Sequence, residues 1–471
     1  PIRQAPTVTA PPPDSVSSEA GESRPRRLLR AWRTRSGLRP VRNAGWLTLG
    51  SGAQGLLQLA AMALAAQALG ATGLGMLVLV NTARHFVGGL IRLRSKHVVL
   101  RHGARALAEG AGPGAFKRVL CFALWLDVLS AVAGLAAVLL AMGAAVHWLE
   151  MPPEVVGPAR IFGVCVVFVA LSTTAEALLR LFDRFDVVAA QNLVSPVVQL
   201  GGAALGLALG AGLPFFLAVW FLAVAASHGT LIGGGVHELH RRGRLRELSL
   251  HPRGLRPPEP DVWRFVVTTN LLDALGKLRE NGTVLVVGAL LDPAAAALLH
   301  VARKLGQIPG KPVSKILTPV IFPEIARQTA DAKHRKRRKT VRRSGLIAGG
   351  LGLGLFALLA LLGQPLLARG FGPEFVDAYT VMLVFGAAGV LRMATFGFGP
   401  VLVSAGRMKM VVLANILMTA GQVGLLLALI PQIGLVGSAL AQVGGVILNA
   451  AVLVPAGRRE LRRPRAEALP T

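Results

Sequence analysis

The chain has 471 residues, of which 53% are apolar and only 16% charged, against roughly 25% charged in a soluble globular domain; with a mean hydropathy of +0.57, this excludes an ordinary soluble protein. The net charge of +28, from 51 Lys+Arg against 23 Asp+Glu, would suggest nucleic acid in a soluble chain, but here basic stretches alternate with apolar blocks of membrane-spanning length and read as an orientation signal. Two cysteines, Cys121 and Cys165, each inside an apolar block, leave no disulfide scaffold and no cysteine zinc site, so neither metal nor cofactor is expected.

Residues 1–42 are rich in Pro, Ser and Arg and lack apolar periodicity, which predicts a disordered basic arm. Twelve apolar segments of about 20 residues or more follow, each long enough to cross a hydrocarbon core of roughly 30 Å as helix. They lie near 45–69, 74–95, 119–146, 159–180, 187–211, 213–237, 262–290, 294–322, 344–367, 378–403, 409–430 and 433–455. The expected fold is an all-α polytopic membrane protein.

The loops test this count independently. With the N-terminal arm taken as inside, the inside segments hold 41 Lys+Arg, whereas the outside loops hold only Arg160 and Arg369. So strong a positive-inside asymmetry predicts both termini in the cytoplasm, in a multi-pass protein of the cytoplasmic membrane. Trp46, Trp148 and Trp263 fall at predicted helix ends, where an interfacial aromatic belt places them. The longest Pro/Arg-rich break, 238–261, leaves six helices on either side, giving lobes at 43–237 and 262–457 and a basic tail at 458–471. Duplicated lobes suit a transporter that rocks one half against the other.

Several turns then carry a family likeness. Leu69–Leu74 (LGATGL), Arg180–Ala190 (RLFDRFDVVAA), Leu367–Ala378 (LARGFGPEFVDA), Ser404–Lys409 (SAGRMK) and Pro431–Gln442 (PQIGLVGSALAQ, with Ser438 where Ala is usual) occur in order over the twelve segments. They resemble the polysaccharide and lipid-linked oligosaccharide flippases of the multidrug/oligosaccharidyl-lipid/polysaccharide exporter superfamily. The resemblance implies two lobes around a central cavity. It also implies export of a polyprenyl-diphosphate-linked sugar by alternating access, with a cavity Arg on the second helix, where Arg84 stands.

Eight cations fall in the interior of predicted spans, away from their ends, where each costs about 2.5–3.5 kcal/mol on insertion scales. On the eighth segment His300, Lys304, Gln307, Lys311 and Lys315 lie within an arc of about 80°, with Arg303 at the edge of the stripe. Pro309 and Pro312 kink the same span. The functional reading is a cationic wall for a lipid-linked diphosphate; the plainer one lets Lys311 and Lys315 snorkel to the cytoplasmic surface. On the seventh, Asn270, Asp273, Lys277 and Glu280 share a face, either as a self-neutralised stripe or with Asp273 or Glu280 as an ion-coupling site. Arg84 and Arg392 are further substrate-binding candidates whose alternative is a structural ion pair or interhelical strut. Asp127 and Glu176 read as partners of nearby Arg. The cluster Lys333–Arg343 (KHRKRRKTVRR) reads as an inside anchor meeting anionic lipid rather than nucleic acid.

No Walker-type loop, His-Glu-x-x-His or Gly-x-Ser-x-Gly occurs, and the outside loops are too short for a catalytic domain, so a transporter rather than an enzyme is expected. Its partners would be membrane lipids, the lipid-linked substrate and polysaccharide polymerase or assembly proteins, with the chain itself a monomer. The competing readings are a drug/cation antiporter of the same superfamily, a polytopic glycosyltransferase or ligase, and a membrane scaffold.

Overall fold

A computed structural model describes residues 35–93, 95–107, 114–148, 152–248, 262–310, 317, 321, 324–325, 327–328 and 334–462. Among them there is no strand. The long helices are α1 (Arg35–Ile91), α2 (Ala115–Trp148), α3 (Pro153–Gly163), α4 (Cys165–Leu181), α5 (Phe185–Ala208), α6 (Leu213–Arg241), α7 (Val262–Leu290), α8 (Pro293–Gly306), α9 (His334–Leu366), α10 (Ala378–Ala394), α11 (Phe398–Ser404) and α12 (Met408–Arg462). In lipid a backbone must satisfy its own polar groups, which leaves helices as the spanning element for blocks such as these.

Seven helices among the described residues are long and apolar enough to cross a membrane, or eight if α10 and α11, bent by 42°, form one span. Two of the seven are reversals rather than straight rods. A straight α1 of 57 residues would reach ~85 Å, far beyond the hydrocarbon core. It breaks instead at Gly70, whose φ of 67° suits a residue without Cβ. In α12 the break falls at Ile433 and Gly434 (φ 59°). There the limbs fold back so closely that a Cβ on Gly421 would meet Leu448 and one on Gly444 would meet Leu425. Both breaks lie inside the turn motifs read from the sequence.

The helix ends sort into two groups. At one end a single large core gathers Ala71 and Leu74, Val155 and Ala159, Leu213, Ala295, Phe371 and Phe375, Ile430 and Ala439, from both halves of the chain. At the other end the core divides. Val99, Phe116, Phe182 and Leu239 cluster in the first half, and Ile321, Ile325, Val341 and Val401 in the second. The basic loops meet at this divided end: Arg242 lies 4.2 Å over the Phe182 ring and Arg244 lies 5.4 Å over Phe116. Arg184 ties Glu238 at 2.9 Å, and its bonds to Asp186 hold the guanidinium pKa above its usual value.

The joined end is latched by polar contacts between motifs. Gln67 donates to the Gly370 carbonyl at 2.7 Å, and the Ala71 N–H donates to Glu374 at 2.9 Å. Gly75 meets the Pro293 carbonyl so closely that no side chain fits between them.

Several boundaries differ from the sequence reading. Helix α1 starts at Arg35, inside the expected arm, and α9 and α12 run through basic stretches at 334–343 and 458–462. Arg, Lys and Leu lose little rotamer freedom in a helix, so a span extends through them into the interface. The eighth segment is not one continuous span: α8 stops at Gly306 and a turn covers Gln307–Gly310. Pro309 sits in that turn, where it has no N–H to carry the helix on. Residues 1–34, most of the 238–261 linker and 463–471 lie outside the described residues.

Candidate functional site

Three cavities lie along α7 and α8. The largest, about 470 Å³, is lined from the first half by Gln58, Leu59 and Asn81 of α1, Gln199 of α5 and Trp220 of α6, and from the second by His300, Lys304, Gln307 and Ile308. It is therefore a cavity between halves. His300, Lys304 and Gln307 follow an i, i+4, i+7 spacing that puts them on one face of a helix, and they reach the cavity together. Lys304 donates to Gln58 Oε1 across the halves at 3.2 Å.

The second cavity, about 160 Å³, is built in the second half by Arg279, Glu280, Arg303, Gln307, Arg392, Met418, Gln422 and neighbours. Arg303 donates to the Glu280 carbonyl, and Arg279 points a guanidinium N–H at the Met418 sulfur at 3.1 Å, a weak acceptor. The third, about 20 Å³, joins Arg84, His85, Arg92 and Ser130 to Lys277 of α7. Arg84 is buried. It bonds Asn81 at 3.1 Å and His85 at 2.7 Å, and its guanidinium carbon lies 5.1 Å over the Phe162 ring, while its Nε has no partner.

The sequence-read residues thus divide. Arg303, Arg392 and Glu280 share the second cavity, Lys304 lines the first and Arg84 the third. Arg303 and Lys304 do not face one site because neighbours on a helix point about 100° apart. Gln307 borders both larger cavities, and Asn81 links the central one to Arg84. Lys311, Lys315 and the side chain of Asp273 lie outside the described residues.

Lys277 and Glu280 do not share a cavity, since α7 turns one toward Arg84 and the other toward Arg303. Arg92 and Gln422 were not singled out by the sequence: Arg92 stands at the basic end of the second segment, and an apolar span hides a lone Gln. Glu176 has the basic partners expected, Lys96 at 2.6 Å and Arg180 at 2.7 Å. Asp127 takes its hydrogen bonds elsewhere, accepting from Ser95 Oγ at 2.5 Å and from the Thr174 N–H at 3.0 Å, with the charge of Arg92 acting on it from the turn after α1.

Seven cations line the three cavities, and Glu280 is the one carboxylate among the described lining residues. With the reversals of α1 and α12, this architecture is that of a multi-pass, all-helical membrane protein with cavities between and within its two halves. The polysaccharide biosynthesis protein family matches residues 118–380, and the chain belongs to it. It is 25% identical over 348 residues to the inner membrane protein YghQ of Escherichia coli (strain K12), covering 73% of this chain and 95% of that one. Its fold is similar to the inward-facing conformation of a multidrug resistance MATE family transporter of the MOP superfamily. That match has a TM-score of 0.70 at 14% identity, over 90% of this chain and 96% of the other. It is also similar to the inward closed conformation of the lipid II flippase MurJ, with a TM-score of 0.66 at 12% identity over 88% of each chain.

Proposed function

We propose that the chain moves a polyprenyl-diphosphate-linked oligosaccharide or polysaccharide precursor across the cytoplasmic membrane by alternating access. The observation that carries this reading is the charge of the cavities: seven cations against one carboxylate. A cation inside a membrane protein is costly unless it meets water, a partner or an anion, and guanidinium and ammonium groups match phosphate oxygens. A cationic drug would be repelled, so the antiporter reading is the weaker. Trp220 and the amides of Gln58, Asn81, Gln199 and Gln307 offer a face and hydrogen bonds to sugar, as binding cavities commonly combine apolar walls with a few polar groups.

In this account α7 and the α8 segment complete twelve spans in two lobes, with both termini cytoplasmic. The joined end is then the outer gate, and the cavities open inward. Substrate enters beside Lys304, the Gly70 and Gly372 turns part, and the lobes rock about their interface. Asp273 or Glu280 would couple an ion to that motion. The cations around Glu280 oppose a second cation there, which favours Asp273. Polymerase or assembly proteins would receive the product, and the chain would act as a monomer.

Native mass spectrometry of the purified protein tests the substrate class. A retained polyprenyl-diphosphate sugar, lost in Lys304→Gln, is the expected result. Equal retention of a lipid without the diphosphate would refute the reading.

A further inference from the structure

At the divided end of the second half, two pairs of arginines face one pocket of about 570 Å³: Arg338 and Arg342 of α9, and Arg458 and Arg462 of α12. Each pair is spaced i, i+4, and like charges at that spacing destabilise a helix. None of the four makes an ion pair or hydrogen bond among the described residues, and no carboxylate lines the pocket. Glu460, the nearest acid in sequence, is engaged elsewhere: its carboxylate holds Arg407 at 2.9 Å, and its carbonyl accepts from Arg337 at 2.7 Å.

The floor is built to stay in place. A Cβ on Gly457 would stand 2.5 Å from the Phe398 ring, and one on Gly397 would stand 2.9 Å from Val341, so α12 and α9 are both packed against α11 and its turn. The wall is apolar, with Leu346, Phe398 and Leu461. It runs on into the exposed Leu346, Ile347, Leu351 and Leu353 of α9, the least buried of the spans. A soluble anion has no use for that face, whereas acyl chains do.

We propose that this pocket is a binding site for an anionic phospholipid of the diphosphatidyl class, one phosphate to each arginine pair and acyl chains along α9. Basic pockets between transmembrane helices are a recurrent seat for such headgroups. The site is separate from the three cavities and does not depend on what they carry.

The test uses the full chain in detergent, titrated with diphosphatidylglycerol, with phosphatidylglycerol and with inorganic diphosphate, read by thermal stability and by native mass spectrometry. The wild type should bind diphosphatidylglycerol at least about tenfold more tightly than phosphatidylglycerol, and diphosphate should not compete at matched concentration. R338Q/R342Q/R458Q/R462Q should lose that preference. K117Q/R118Q/R241Q/R246Q, which removes the same charge elsewhere, should keep it. Should the fourfold variant not fold, R338Q/R342Q and R458Q/R462Q made separately should each weaken binding. Unchanged binding in the arginine variants, an equal loss in the control, equal affinity for the one-phosphate lipid, or full competition by diphosphate would each overturn the proposal.

Discussion

Arg303 and Lys304 are adjacent on α8, yet one faces a cavity within a half and the other the cavity between halves. If Lys304 serves the substrate, Lys304→Met should leave melting temperature unchanged or raised, since an apolar side chain avoids the desolvation cost. Diphosphate-lipid binding should fall by at least about tenfold, and the difference from wild type should shrink as salt rises. Asp127 makes the opposite case. Asp127→Leu strands the Thr174 N–H and the Ser95 hydroxyl, so thermal or denaturant unfolding should show a loss of about 1–3 kcal/mol, and Asp127→Asn a smaller one. For coupling, Asp273→Asn should remove gradient dependence from transport and Glu280→Gln should not; the reverse pattern would move the ion site to Glu280. The stripe His300, Lys304 and Gln307 was legible because a helical period fixes which residues share a face. What lies opposite a face was not. The pairing of Lys277 with the Arg84 cavity depends on how α7 sits against α1, and spacing along one helix carries nothing about a neighbouring one.

Among the elements, hydropathy located the seven described helices that are long and apolar enough to cross a membrane, because a bilayer demands about 20 apolar residues per helix. It missed their ends, since basic residues continue a helix into the interface, and it missed the stop at Gly306 because Pro309 acts from beyond it. The turn motifs were visible as Gly and Pro spacings, but their mutual docking was not. Gln67 and Ala71 of one turn hold Gly370 and Glu374 of another about 300 residues away. If the joined end gates transport, this docking yields an expectation. Gly75→Val puts a side chain into the Pro293 carbonyl, so it should force the joined end apart. A reactive cysteine placed near Gly70 should label faster in that variant than in the wild type, and Glu374→Gln should move labelling the same way by a smaller factor. Labelling unchanged in both would mean that this end does not gate.

For the molecule as a whole, the asymmetry of 41 inside against two outside basic residues agrees with the meeting of the basic loops at the divided end. Tags after Thr471 and after Gly243 should therefore both report cytoplasm. If these cavities move a diphosphate-linked sugar lipid, proteoliposomes holding the wild type should flip such a lipid, and an Arg84→Gln, Arg303→Gln, Lys304→Gln triple variant that still folds and melts at the wild-type temperature should not. Full flipping by that triple variant would show that the cavity cations do not carry the substrate.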